Sequence, residues 1–117
     1  MLLVLIVQDN GQQSGLVARM SLLGAKLITA HDLDSPVLTR SVRTPAVLVL
    51  DHDWASAQDP VRLDRLLDQP HWGKLVLLIG PEGCANRDPR FIYLDRRTAH
   101  DEIMAAMPAW KAELSLR

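Results

Sequence analysis

The residues best placed to do chemistry are two acids that close apolar runs. Val4, Leu5, Ile6 and Val7 lead through Gln8 to Asp9 and Asn10, and Val47, Leu48, Val49 and Leu50 lead directly to Asp51. In an open parallel α/β sheet, ligands sit outside the carboxyl ends of the strands, so acids placed there converge on one crevice. Asp9 and Asp51 are therefore candidates for a ligand site. An Asp at a strand end also serves as a helix cap or turn former, which is the plainer role for either residue taken alone. His52 stands between Asp51 and Asp53, but on an extended segment alternate side chains point opposite ways, and His52 would face away from both acids. His31, His71 and His100 lack ligand spacing, and Cys84 has neither a positioned histidine nor a motif around it. No base, nucleophile and oxyanion donor can be assembled from named positions, so an enzyme acting on a free substrate is not expected.

Apolar runs of strand length alternate along the chain with segments of helical period, the signature of a parallel sheet covered on both faces. The strand-like runs are residues 2–7, 26–30, 47–50, 75–79 and 91–94. They are apolar almost without alternation, as suits strands buried on two faces. Between the first two, Leu16, Val17, Met20 and Leu23 fall at helical spacing and Gly24 stands where a left-handed stop belongs. Ser35 and Pro36 open a second expected helix through Val37, Leu38 and Val42, ended by Pro45. Asp59 and Pro60 repeat the start signal ahead of Leu63, Leu66 and Leu67. The last helix has Thr98 as its cap and Ile103, Met107, Trp110 and Leu114 on one face. Pro108 removes a backbone donor in its middle, and a kink or break is expected there. Residues 80–90 contain Pro81, Gly83 and Pro89 and no apolar period, so a full helix is not expected between the fourth and fifth strands.

A chain of 117 residues without repeats or linkers reads as one domain, residues 1–117. Thirteen basic and fourteen acidic residues leave a net charge of −1, which gives no electrostatic case for nucleic acid or an anionic membrane as partner. One cysteine cannot form an intramolecular disulfide, which is compatible with a reducing compartment and a cytoplasmic location. The apolar opening through Val7 is too short to span a bilayer and reads as a buried strand. Trp54 and Trp72 fall outside the expected strands, where they would serve as loop packing or as a partner surface.

Taken in order, these segments resemble the receiver domains of response regulators in two-component signalling, the CheY-like fold. Residues 4–10 are similar to the family's first strand, which runs into a pair of acids. Leu22, Leu23, Gly24, Ala25, Lys26, Leu27, Ile28, Thr29 and Ala30 resemble its helix-Gly-strand junction, and residues 45–51 its third strand. Tyr93, Leu94, Asp95 and Arg96, followed by Asp101, Glu102 and Ile103, resemble its fifth strand and the opening of its last helix. The likeness spans nearly the whole chain. It implies an α/β three-layer sandwich with a five-stranded parallel sheet, CheY-like or flavodoxin-like; the breakers in residues 80–90 depart from the family by leaving its fourth helix shortened or missing.

The resemblance further implies that Asp51 is the phosphoryl acceptor, that Asp9, Asp51 and the main-chain carbonyl of Asp53 hold Mg²⁺, and that Arg96 stands where the family has a lysine. A carboxylate attacks phosphorus, and Mg²⁺ takes hard oxygen ligands and neutralises the transferring oxygens. The implied partners are a histidine kinase or phosphotransfer protein, or another signalling protein. Gln8 replaces the first acid of the pair, Gly80 and Pro81 supply no hydroxyl after the fourth strand, and Arg96 differs from lysine in reach and geometry. Arg96 also reads as a surface charge beside Arg97, and Tyr93 as either a switching aromatic or an ordinary strand tyrosine.

Three functions stay open. The first is a receiver in phosphorelay signal transduction, with Asp51 as acceptor in an atypical pocket. The second is a pseudo-receiver acting by protein–protein contact without phosphorylation. The third is a small nucleotide or flavin binder using Asn10, Gly11, Gln12, Gln13, Ser14 and Gly15 as its phosphate loop, although these lack the glycine spacing and the Lys or Thr of a strong motif.

Overall fold

The central strand of the sheet, Ala46–Asp51, is buried at every position, which explains why its sequence is an unbroken apolar run. The computed structural model describes residues 2–30, 45–69, 72–80 and 88–115. In chain order the described elements are β1 (Leu2–Ile6), α1 (Asn10–Leu22), β2 (Lys26–Thr29), β3 (Ala46–Asp51), α2 (His52–Ser56), α3 (Pro60–Leu67), β4 (Trp72–Ile79), β5 (Phe91–Asp95) and α4 (Ala99–Ser115). All strand pairs are parallel and the sheet order is β2-β1-β3-β4-β5. This is the order of flavodoxin-like α/β sheets, whose switch point lies between β1 and β3. Asp9, just beyond β1, and Asp51, the last residue of β3, flank that point.

Side chains alternate across the sheet and build a core on each face. Leu3, Leu5, Val47, Val49, Val76 and Leu78 pack against Leu16 and Met20 of α1 and Ile103, Met107, Trp110 and Leu114 of α4. Val4, Ile6, Leu48, Leu50, Leu75 and Leu77 pack on the other face against Trp54 and Ala55 of α2 and Leu67 of α3. The result is the expected three-layer sandwich. No helix among the described residues is long and apolar enough to cross a membrane.

Several local expectations meet their geometry. Gly24 has φ +78°, the left-handed value a residue with a Cβ avoids. Asp59 caps α3, its carboxylate accepting the N–H of Val61 at 2.8 Å and of Arg62 at 3.3 Å, with Pro60 at the first helical position. Arg90 ties α3 to the entry of β5 through Asp64, Asp68 and Asp88. Thr98 precedes α4 directly; its carbonyl accepts the Glu102 N–H at 3.0 Å, while its hydroxyl bonds the Glu102 carboxylate at 3.2 Å.

Other expectations are corrected. Leu23 lies half exposed at the end of α1, and only Leu16 and Met20 of that helix are fully buried. β4 starts at Trp72, three residues earlier than its apolar run. The pairing register shifts between Ala46 and Val47, which face Trp72 and Lys74 and leave Gly73 as the extra residue. A Cβ on Gly73 would lie 2.2 Å from Leu114 Cδ2, so glycine at this irregularity lets α4 close on the sheet. Trp72 is thus a strand residue whose indole N–H donates to the Leu66 carbonyl at 3.0 Å, and Trp54 is buried in the core. α4 runs unbroken through Pro108 because buried residues on both sides of it hold the same face to the sheet. The expected helix opened by Ser35 and Pro36, His31, His71, Cys84 and residues 81–87, most of the stretch in which no full helix is expected, lie outside the described residues.

Candidate functional site

Residues 10–15, the only candidate phosphate loop, are the first two turns of α1 rather than a loop. Asp9 is the N-cap of that helix: its backbone is extended, with φ −75° and ψ 116°, and its Oδ1 accepts the Gln12 N–H at 2.8 Å. The two glycines that suggest a loop are tolerated within the helix, and Gly15 is where His100 of α4 packs closest. A Cβ there would lie 2.6 Å from the His100 Nε2.

Asp51 is at once the end of β3 and the N-cap of α2. Its Oδ1 accepts the Asp53 N–H at 3.1 Å. The segment after Asp51 is therefore helical, and the argument that an extended chain turns His52 away from the acids does not apply. Asp51 is 4% exposed, the one buried charged residue among those described. A buried carboxylate needs a partner, since its loss of hydration is costly. Arg96 supplies it.

Arg96 follows β5 and is anchored by its own N–H, which donates to the Ile79 carbonyl at 3.0 Å. From there its Nη2 donates to Asp51 Oδ1 and lies 3.3 Å from Asp53 Oδ2. The surface-charge role beside Arg97 is not the one it takes. Gly80, directly after β4, leaves it room: a Cβ on Gly80 would come within 3.3 Å of Arg96 Nη1. Burial works against the guanidinium charge, but the hydrogen bond to Asp51 and the charges of Asp51 and Asp53 outweigh it and raise the Arg96 pKa above the usual arginine value.

All four expected site residues line a single cavity of about 340 Å³, together with Gln8 and Gln12. Gln12 was named in the sequence only as part of a possible phosphate loop, not as a neighbour of Asp51 and Arg96. Its position three residues past the cap, in the first turn of α1, is the signal that would have found it. Gln12 Nε2 and Arg96 Nε are the buried side-chain polar atoms without a hydrogen-bond partner among the described residues.

The residues present do not fit the expected divalent ion. Asp9 Oδ1 caps α1, and Asp51 Oδ1 bonds Arg96 and the Asp53 N–H. The Asp53 carbonyl, expected as a ligand, accepts the Ser56 hydroxyl at 3.3 Å within α2. Gln8 brings no charge. Among the described residues, no group of three His, Cys, Asp or Glu side chains could hold a metal ion.

Two residues of β5 are not among those lining the cavity. Tyr93 is half-buried, with Phe91 edge-on at 6.1 Å and its hydroxyl accepting the Asp88 N–H, which is strand packing with a satisfied polar tip. Asp95, the last residue of β5, bonds the Arg97 side chain at 2.8 Å and the Arg97 N–H at 2.8 Å. These bonds and the Arg97 charge hold its pKa down to about 2. Because the folded value lies below the unfolded one, the stabilisation is complete above the ordinary carboxylate range and is lost as pH falls towards about 2. A carboxyl-carbon NMR titration should place the Asp95 midpoint near 2, and Arg97→Ala should return it towards the ordinary range. An ordinary midpoint in the wild type would refute the pairing.

The chain matches no family model, no curated protein and no solved structure.

Proposed function

We propose that the chain is a receiver-like signalling module of the cytoplasm that works by protein–protein contact, with its acidic pocket held shut by Arg96. The observation that carries this reading is the ion pair of Arg96 with buried Asp51 at the carboxyl end of the central strand. Support also comes from the strand order β2-β1-β3-β4-β5 and from Asp9, Asp51, Asp53 and Arg96 sharing one cavity at the switch point. A carboxylate already bonded to a guanidinium is a poor nucleophile, and a pocket without a metal ligand set lacks the cation that phosphoryl transfer requires. The partner is then another signalling protein that recognises the folded surface.

A second reading, the phosphorelay receiver with Asp51 as acceptor and a histidine kinase or phosphotransfer protein as donor, is favoured by one observation: the Asp51 side chain lines a cavity rather than the closed core. The two are separated by incubating the chain with a small-molecule phosphoryl donor and Mg²⁺ and weighing it by mass spectrometry. No adduct is expected under conditions that label an ordinary receiver. A single phosphoryl adduct that disappears in Asp51→Asn would replace the contact module with the phosphorelay receiver.

A further inference from the structure

We propose that the groove between α3 and the edge strand β5 is a docking surface for an amphipathic helical segment of another protein, one that carries lysine or arginine beside its aliphatic face. The inference rests on the contact-module reading for the expectation of a protein partner; the place and the chemistry come from the groove. Pro60, Val61, Leu63, Leu67 and Phe91 line a depression of about 450 Å³ together with Asp64, Asp88 and Arg90. Its floor is continuous with the core, since Leu67 is buried and Leu63 and Phe91 pack on the same cluster. Val61 is 63% exposed. A singly exposed apolar residue is ordinary, but this one stands at the mouth of an apolar depression and extends it. The described helices on this face, α2 and α3, both precede β4, and β5 is the outermost strand beyond it. Residues 81–87, which lie between β4 and β5 in the sequence, contain no Leu, Ile, Val, Met or aromatic residue with which to fill the groove.

The charge of the rim decides the kind of partner. Asp64, Asp68 and Asp88 share the guanidinium of Arg90, at 2.7, 2.8 and 2.7 Å, so acids are in excess. Arg62 and Arg65 of α3 are not among the lining residues. Asp64 and Asp68 are exposed, and their charge attracts basic groups on an incoming surface and repels acidic ones. The groove lies on the sheet face beside α3 rather than along the hydrogen-bonding edge of β5, so side chains and not backbone pairing would hold the partner. A helix meets these conditions, with aliphatic anchors at i, i+3, i+4 and i+7 on the floor and its basic residues at the rim.

The test is a titration of the full chain, followed by its backbone amide shifts, with a synthetic amphipathic peptide of leucine and lysine and with its counterpart of leucine and glutamate. The lysine peptide should move the amides of Val61, Leu63, Asp64, Leu67 and Phe91, and the glutamate peptide should leave them in place. Val61→Asp, at an exposed position that tolerates a polar residue, should weaken lysine-peptide binding on the order of tenfold. Asp64→Asn combined with Asp68→Asn should weaken it about fivefold, while Arg90 keeps Asp88 as its partner. A lysine peptide that leaves these amides unmoved, equal binding by Val61→Asp, or equally tight binding of the glutamate peptide overturns the proposal. Self-association of the chain that moves the same amides without peptide would assign the groove to a second copy and overturn it as well. A phosphoryl adduct on Asp51 would sink the contact-module reading, whereas failure of the lysine peptide sinks the groove alone and leaves that reading standing.

Discussion

Arg96→Met is expected to lower the unfolding free energy by about 2 kcal/mol, and Asp51→Asn in the same chain to restore most of it. Breaking a buried ion pair by removing one partner typically costs about 3–5 kcal/mol, because the survivor is left charged and desolvated. The smaller figure applies here because the Arg96 side chain is 28% exposed and water can follow into the space it leaves. Asp51 itself is the side that suffers, buried at the end of β3 with its Oδ1 also serving as the cap of α2. Asparagine caps a helix about as well as aspartate, so Asp51→Asn removes the charge while keeping an acceptor for the Asp53 N–H. The double variant thus holds no unpaired buried charge. Urea unfolding of the wild type, both single variants and the double variant gives the coupling directly. A coupling indistinguishable from zero would return Arg96 to the plainer role of a surface charge.

What the sequence made legible follows from how each element is buried. β1, β3 and β4 are covered on both faces, so they could be read from apolar runs alone, and the parallel order followed from the helical segments between them. The caps at Asp59 and Gly24 were legible because they depend on local chemistry. α2 was not: five residues carry no helical stripe, and the only signal is Asp51, which was already accounted for as a strand end. The start of α1 was hidden for a different reason. Gly11 and Gly15 have poor helix propensity, and the helix there is decided by the Asp9 cap and by the close approach of His100 to Gly15. The early start of β4 was masked by Gly73, whose value lies in tertiary packing against Leu114. At the site, strand-end logic brought Asp9 and Asp51 to one cavity, but the contact that gives the cavity its character joins Asp51 to a residue 45 positions away. Nothing local in the sequence specifies where a long, flexible arginine side chain comes to rest.

Pro108→Ala should stabilise the fold by about 2 kcal/mol. Proline in a helix interior costs about 3 kcal/mol, because it has no N–H to give to the carbonyl four residues earlier and its ring crowds that carbonyl. Here the affected carbonyl belongs to Met104, and the helix nevertheless continues from Ala99 to Ser115. It does so because Ile103 and Met107 before the proline, and Trp110 and Leu114 after it, all enter the same core. Packing therefore overrides a local preference to break, and the cost of that conflict is stored in the native state. Alanine relieves it without touching a buried contact, since Pro108 itself is exposed. The gain falls short of the full proline penalty because proline also restricts the unfolded chain, an advantage that alanine gives up. The expected signature is a higher urea midpoint at unchanged slope. A lower midpoint would mean that the proline ring is itself part of the packing that seats α4, and that its local cost is already balanced there.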